Sequence, residues 1–440
     1  MNILVIGSGA REHAIVKALQ RSAQNPTIYC CGTTNNPGIR QYTKAYWIGN
    51  INNVEAVVHT ARQWQVEIVI IGPEAPLESG LADVLWQSSI AVIGPQKKLA
   101  QIETSKAFTR DLLKKHHIAG SPAYRVFHDL SGVKNFLQEL GENQYVIKAN
   151  GLMGGKGVKV AGDHLHSINE AYAFCQELQQ LGQSFVIEEK LIGQEFSMLC
   201  FCDGYSLIPL PLVQDHKRAF IYDEGPNTGG MGSYSAANHR LPFLTDKDVA
   251  QAQHINQSVL DALTAEFRER YIGILYGSFM ATKEGVRLIE YNARFGDPEA
   301  MNVLAILTTD LVTICEAMVT GKLQQLPVQF AHLATVCKYA VPEGYPDNPC
   351  KNAIIDVSAV NNAEHLYFAA VEERAGKLYT MGSRAIAVVG VADTISGAEK
   401  IAEEEINRIK GQLFHRTDIG TAALIQQRVQ QMQELRQCYT

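Results

Sequence analysis

The stretch Leu288-Ile-Glu-Tyr-Asn-Ala-Arg closes an apolar run with Glu290, Asn292 and Arg294 at alternate positions. Alternate residues of a strand share a face. Val286, Leu288, Glu290, Asn292 and Arg294 are therefore expected in one row that turns from apolar to polar where it enters a site. Glu290 and Asn292 offer two oxygen ligands. That number suits magnesium, which takes one or two protein oxygens and completes its shell with phosphate and water. The fork of Arg294 suits a carboxylate or a phosphate. A solvated strand end with an ion pair is the plainer alternative.

A second stretch, Lys148-Ala-Asn-Gly-Leu-Met-Gly-Gly-Lys-Gly, sets two lysines around Gly151, Gly154, Gly155 and Gly157. It is not a P-loop: Gly151 to Gly155 is one residue short, and Gly157 stands where a hydroxyl should bind magnesium. A strand, a glycine-rich turn and a second strand remain. Such a flap can lay backbone N–H groups over a polyphosphate, with Lys148 as counter-charge. Glu188-Glu189-Lys190-Leu191 ends an apolar strand whose backbone could meet an adenine edge, and Glu195 could accept from ribose hydroxyls; seen alone, an ordinary surface strand end is the better reading. Asp215-His-Lys-Arg precedes residues 225–235, a long glycine-rich loop. Lys217 and Arg218 suit an anion, and Asp215 suits an amine. Long loops inside compact domains usually carry function. Gly7-Ser-Gly-Ala-Arg-Glu-His opens the first helix where a dinucleotide fingerprint would sit, but Glu12 replaces its third glycine and disfavours a pyrophosphate. Free N–H groups at Gly9 and Ala10 could hold one phosphate beside Arg11; a purely structural turn is the alternative.

The elements that must position these groups follow from periodicity. Strands are expected at 2–6, 27–30, 67–71 and 90–93, with helices at 12–21, 54–64 and 81–88 between them. That alternation predicts a parallel, doubly wound α/β sheet. From residue 104 the pattern changes. A helix capped by Thr104 or Ser105 is followed by the flap, a helix at 167–178 and a strand at 185–189. Antiparallel strands are expected at 195–202, 205–212, 272–282 and 286–293, with a long helix at 246–270. Strands at 333–341 and 384–392, a helix at 396–410 and a docked terminal helix at 422–436 complete the chain.

With 440 residues the chain has room for about three domains of ~150 residues. Its 39 Lys and Arg against 45 Asp and Glu give a net charge of −6, which argues against a nucleic-acid partner but leaves room for small anions. The nine cysteines show no Cys-x-x-Cys pair, which points to a reducing compartment, the cytoplasm. The first residues read as a buried strand without a signal peptide, and no apolar run approaches the ~18 residues of a membrane span.

Taken in order, these stretches resemble the glycinamide ribonucleotide synthetase family (phosphoribosylamine–glycine ligases), ATP-grasp enzymes of purine synthesis. The resemblance runs through residues 7–14, Asn36-Pro-Gly, Gly72-Pro-Glu-Ala-Pro-Leu, Ser105-Lys-Ala-Phe, 148–158, Asp215-His-Lys-Arg, 225–234, 290–299 and Asp418-Ile-Gly. It implies a mixed α/β protein in four parts: an N-terminal α/β domain (1–104), a grasp core (105–120 and 187–325), an inserted lid (121–186) and a C-terminal α+β domain (326–440). It implies a carbon–nitrogen ligase that joins glycine to 5-phosphoribosylamine with ATP and Mg2+, or Mn2+ in its place, through a glycyl phosphate.

By the same resemblance Lys106, Lys148, Gly154, Gly155, Lys156 and Gly157 look like phosphate contacts. Glu188, Glu189, Lys190 and Leu191 would flank adenine, and Glu195 would hold ribose. Glu290 and Asn292 would hold the metal, and Arg294 would face the glycine carboxylate. Gly9, Asp215, Lys217, Arg218, Gly229, Gly230, Met231, Gly232, Gly296 and Asp297 would face the substrates, with Arg294, Asp215 and Lys148 nearest the chemistry. All the cations would face one cleft, and a monomer or weak dimer is expected. The chain departs from the family at Asn150, where an aspartate is usual, at Met153 and Gly154, and at Ala10. It departs again in Gly382-Ser-Arg and in Tyr367-Phe-Ala-Ala-Val. A carboxylase of an aminoimidazole ribotide and a silent nucleotide-binding protein are the rival readings.

Overall fold

The computed structural model describes residues 1–153 and 157–437. Its N-terminal sheet is parallel throughout, in the order Ala45–Ile48, Thr27–Gly32, Asn2–Ile6, Ile68–Ile71, Ala91–Ile93. The Ala45–Ile48 edge strand is additional to those expected; Ala-Tyr-Trp-Ile has one β-branched residue and pairs on one side only. The strand order reverses between Asn2–Ile6 and Ile68–Ile71, so Gly7 and Gly72 leave neighbouring strand ends at a topological switch point. Glu12 lies between them. A Cβ at Gly72 would come within 2.0 Å of its Oε1, and one at Gly7 within 2.7 Å of its carboxyl carbon. Both glycines are there to admit that carboxylate.

A four-stranded antiparallel sheet follows, in the order Tyr124–Phe127, Phe185–Glu189, Tyr145–Ala149, Val158–Val160. Helices Val133–Leu140 and Ile168–Gln180 accompany it. This lid has its own core, built around Phe127, Phe136, Ile147, Phe174 and Phe185, separate from the main one. The grasp core is a second antiparallel sheet, Leu207–Pro209, Gly193–Asp203, Ile272–Thr282 and Gly285–Asn292. Leu207–Pro209 is shorter than expected because Pro209 and Pro211 cannot donate to a ladder. Helix Asp246–Phe267 starts at a capping box of Thr245 and Asp248 and buries Ile255, Val259 and Leu263.

The division expected near residue 325 does not fall between sheets. Gln214–Asp215 and Gly232–Ser235 pair with each other and, through Gly232–Ser235, with Ala334–Pro342. Ile386–Ala392 and Leu366–Phe368 continue that sheet. The glycine-rich stretch expected as a loop is thus largely strand, with a hairpin of Arg218–Phe220 and Glu224–Asn227 beside it. One continuous core joins the N-terminal, grasp and C-terminal parts. The terminal helix Ala422–Gln437 docks on the grasp core: Leu424 and Met432 are buried, and Arg436 pairs with Asp248 at 2.8 Å. None of the described helices is long and apolar enough to cross a membrane.

Candidate active site

The strand Gly285–Asn292 carries a bulge. Ser278 lies opposite Glu290 and Phe279 opposite Leu288, so Ile289 has no partner across the pair. An extra residue shifts the alternation of every side chain beyond it. Val286 and Leu288 face the core before the bulge; Tyr291 and Ala293 face it afterwards. The single row from Val286 to Arg294 expected from spacing is therefore corrected. Glu290 and Asn292 do point away from the core, but because the bulge re-aims them.

Neither the Glu290 carboxylate nor the Asn292 amide has a hydrogen bond to a described side chain or main-chain group. Burial works against the charge on Glu290, yet Lys217, Lys148 and Lys106 around it hold its carboxyl below the usual range. Among the described residues no cluster of three or more His, Cys, Asp or Glu side chains suits a metal. Two protein oxygens and a ring of ammonium groups fit a magnesium ion that takes its other ligands from phosphate and water.

The lysines are themselves positioned. Lys106 opens helix Lys106–Lys115, capped by Ser105, whose Oγ accepts from the Phe108 N–H at 3.1 Å. Its ammonium donates to the Gly151 carbonyl at 3.3 Å. Lys148, on the lid, reaches the Glu188 carboxylate at 2.8 Å and the Ile289 carbonyl at 3.0 Å. Lys217 pairs with Glu195, which also accepts from Ser278 Oγ at 2.9 Å. Burial lowers the pKa of Lys217, but Glu195, Glu290 and Asp215 outweigh it and hold the ammonium charged. Both of those donors bond Oε1 of Glu195, which leaves Oε2 for hydroxyl donors.

Asn150 has a role that its usual aspartate counterpart does not announce. Its Oδ1 accepts from the Ala107 N–H at 2.8 Å and from Ser105 Oγ at 3.1 Å, and its Nδ2 donates to Ser184 Oγ at 3.2 Å. It caps the Lys106 helix from the lid. Asn150→Ala is expected to cost about 1 kcal/mol in urea unfolding, and Asn150→Asp less, because a carboxylate keeps the acceptor and suits a helix N-terminus.

Several expected contacts are corrected. The Gly9 N–H is taken by Glu12 Oε2 at 2.7 Å, and Glu12 also pairs with Arg11 at 2.6 Å, so this helix start caps itself. Glu188 does not flank a base with its side chain. It is buried, and Arg110 takes both its oxygens, at 2.6 and 2.9 Å. Burial alone would raise its pKa; Arg110 and Lys148 bring it down to about 2. Lys190 turns to the Ala161 carbonyl at 2.7 Å. The N–H groups of Glu189 and Lys190 bond Ala123 and Gln144 carbonyls. The Leu191 N–H bonds no described residue and so keeps a donor for a ligand. Gly157 starts the descent into Val158–Val160, where a Cβ would meet Met153 at 2.8 Å. Gly154, Gly155 and Lys156 lie outside the described residues.

Arg218 leaves the acceptor site: it pairs with Asp163 of the lid at 2.5 Å and donates to the Gly225 carbonyl at 2.8 Å. Met231 is buried just before strand Gly232–Ser235, and a Cβ on Gly232 would lie 2.2 Å from the Cys337 carbonyl oxygen. The N–H groups of Gly230 and Met231 bond Thr228 Oγ1 and the His216 carbonyl. Asp297 is held by Arg384 at 3.1 Å and by the Tyr339 hydroxyl at 2.7 Å. Arg384 also donates to the carbonyls of Gly229 and Gly230, at 2.6 and 3.0 Å. It comes from the Gly382-Ser-Arg departure, and spacing alone did not link it to the site.

Asp215 is hydrogen-bonded to no described side chain through its carboxylate. Its Oδ1 is buried without a donor, and burial, then Glu299 beside it, pushes its carboxyl well above the usual range. Glu299 accepts from Tyr276 and from Ser197 at 3.1 Å, and Gly296 makes room for it, since a Cβ there would meet Oε2 at 2.2 Å. Arg294 lies 3.0 Å from Glu103 and 3.5 Å from Glu74. Neither glutamate was singled out from the sequence, although Glu74 lies in the Gly72-Pro-Glu stretch.

Comparisons with known proteins bear on the family and the fold. The family model for the phosphoribosylglycinamide synthetase ATP-grasp (A) domain matches residues 104–300; the N domain of the same family matches 1–103 and the C domain 335–422. Over 436 residues the chain is 49% identical to a phosphoribosylamine–glycine ligase of Methanosarcina barkeri, covering 99% of this chain and 100% of the relative. It is similar to the crystal structure of the phosphoribosylamine–glycine ligase from Thermotoga maritima, with TM-score 0.81, 26% identity, and 95% and 100% of the two chains covered. A likeness of fold alone, at 15% identity and TM-score 0.70, links 98% of the chain to 93% of a biotin carboxylase domain from Hydrogenobacter thermophilus. With three successive family domains along one chain and a near full-length relative at this identity, the chain belongs to the phosphoribosylglycinamide synthetase family.

Proposed function

We propose that the protein joins glycine to 5-phosphoribosylamine using ATP and Mg2+, with Mn2+ able to stand in, through a glycyl phosphate. The observation that carries the reading is the unpaired Glu290 and Asn292 pair, ringed by Lys106, Lys148 and Lys217. Its support in kind is the family to which the chain belongs. The biotin carboxylase neighbour was solved with MgADP.

A carboxylate is a poor electrophile, so glycine must first take a phosphoryl group. Positioning and charge neutralisation govern that transfer. A metal held by Glu290 and Asn292 would neutralise charge on the phosphates. Lys106 and Lys148 hold the phosphate oxygens, the Leu191 N–H meets the base, and Glu195 Oε2 accepts from ribose. Arg294 binds the glycine carboxylate while Glu74 and Glu103 keep its fork in place. The amine nitrogen then attacks the acyl carbon, phosphate leaves, and Asp215 receives the proton that the nitrogen sheds. The lid keeps water from the acyl phosphate. The same reading places the enzyme in the cytoplasm as a monomer or weak dimer.

The test is phosphate release from ATP with phosphoribosylamine supplied. It is expected to require glycine. Release that ignores glycine would sink the proposal.

A further inference from the structure

We propose that Arg110 is the positioning residue that holds the bulge at Ile289 and so aims Glu290 and Asn292 into the cleft. The inference rests on the metal assignment made under the proposed function. Arg110 lies one turn after Lys106 on helix Lys106–Lys115 and is 2% exposed. A buried guanidinium on that helix face needs a reason, since its neighbours Thr109, Leu112 and Leu113 fill the same interior.

The reason lies in its partners. Nε and Nη2 take the two oxygens of Glu188, and Nη2 also donates to the Ile289 carbonyl at 2.8 Å. Ile289 is the residue left over in the bulge, so its carbonyl needs partners other than the opposite strand. Lys148 supplies the second donor at 3.0 Å and also shares Glu188. One carboxylate thus gathers two cations, and both grip the carbonyl next to Glu290. Arg110, Lys106, Glu188, Ile289 and Glu290 line a common cavity.

Among the described residues no other donor reaches the Ile289 carbonyl. Loss of the bulge would slip the register beyond it by one residue and exchange the two faces of the strand, sending Glu290 towards the core and Tyr291 towards the cleft. Lysine cannot replace arginine here. It keeps the charge and could bond one oxygen of Glu188 with the Ile289 carbonyl, as Lys148 does, but it cannot take both Glu188 oxygens in a planar fork.

The experiment uses the full chain and N-methylanthraniloyl-ADP fluorescence, titrated with MgCl2. Wild type comes first: if it fails to bind the nucleotide with Mg2+, the proposed function falls, not this inference. With wild-type binding in hand, Arg110→Lys is expected to raise the Mg2+ concentration for half-saturation about tenfold or more. The KM for glycine is expected to change less than twofold. Glu188→Gln, which weakens the same grip, is expected to move the Mg2+ requirement the same way. A lowered melting temperature with an unchanged Mg2+ requirement in both variants would overturn the proposal, because a merely structural ion pair predicts that result.

Discussion

Glu290→Gln is expected to lower turnover by ~10³-fold, about 4 kcal/mol of transition-state stabilisation, while the chain stays folded. The substitution keeps shape and volume but removes the only anionic member of the proposed ligand pair Glu290 and Asn292. Glu290 donates to nothing and accepts from no described group, so its loss breaks no hydrogen bond in the folded chain. Its folded pKa is depressed, so its charge adds stability above its unfolded pKa, and that part is lost as pH falls. Glutamine removes this contribution and leaves Lys106, Lys148 and Lys217 facing one another. A small fall in melting temperature at neutral pH is therefore expected beside the large loss of turnover. Steady-state kinetics at saturating Mg2+, with thermal unfolding of the same sample, makes the comparison. Near-normal turnover would show that the metal ligands lie elsewhere.

Arg294→Met is expected to damage both binding and stability, and pH separates the two. Arg294 is the partner of Glu103, which is buried, at 3.0 Å, and of Glu74 at 3.5 Å. Removing one member of a buried ion pair costs about 3–5 kcal/mol, because the remaining charge is left uncompensated. Burial already holds the Glu103 carboxyl above its usual pKa, with Arg294 opposing that shift. Without the guanidinium the folded pKa rises further. A raised carboxyl pKa lowers stability as pH climbs through it, and the penalty vanishes below the unfolded value. The melting-temperature gap to wild type should thus be wide at pH 8 and narrow near pH 5. Lost glycine binding should not recover with it, since acid restores no guanidinium. A gap that stays constant with pH would show that Glu103 carries no charge in the folded chain.

Much of the site was legible because its chemistry is local. Glu290, Asn292 and Lys148 are named by residue type and spacing within one strand and one flap. Lys106 was named only through the resemblance, in the Ser105-Lys-Ala-Phe stretch. The parallel α/β start and the antiparallel strands that follow were legible because helix and strand periods differ. What failed has one cause. Spacing reports which residues are near in sequence and says nothing about which carbonyl or carboxylate meets them from another element. Gly9 was offered as an anion donor although Glu12 three residues on takes its N–H. Arg218 was offered to the acceptor although Asp163, 55 residues away, holds it. Arg110 drew no notice because a charged residue in the middle of a helix is usually solvated.

The amino-acid sequence alone therefore determined the class of fold and named Glu290, Asn292, Lys148 and Lys217 as candidates, since each depends on short-range patterns. Only the tertiary structure decided which face those groups use. The bulge at Ile289 reverses the alternation that the spacing implied, and it is held by cations from a helix and a lid strand far away in the chain. A one-residue irregularity leaves no mark in composition or period, so its position follows from the carbonyl it exposes and the donors that fold around it.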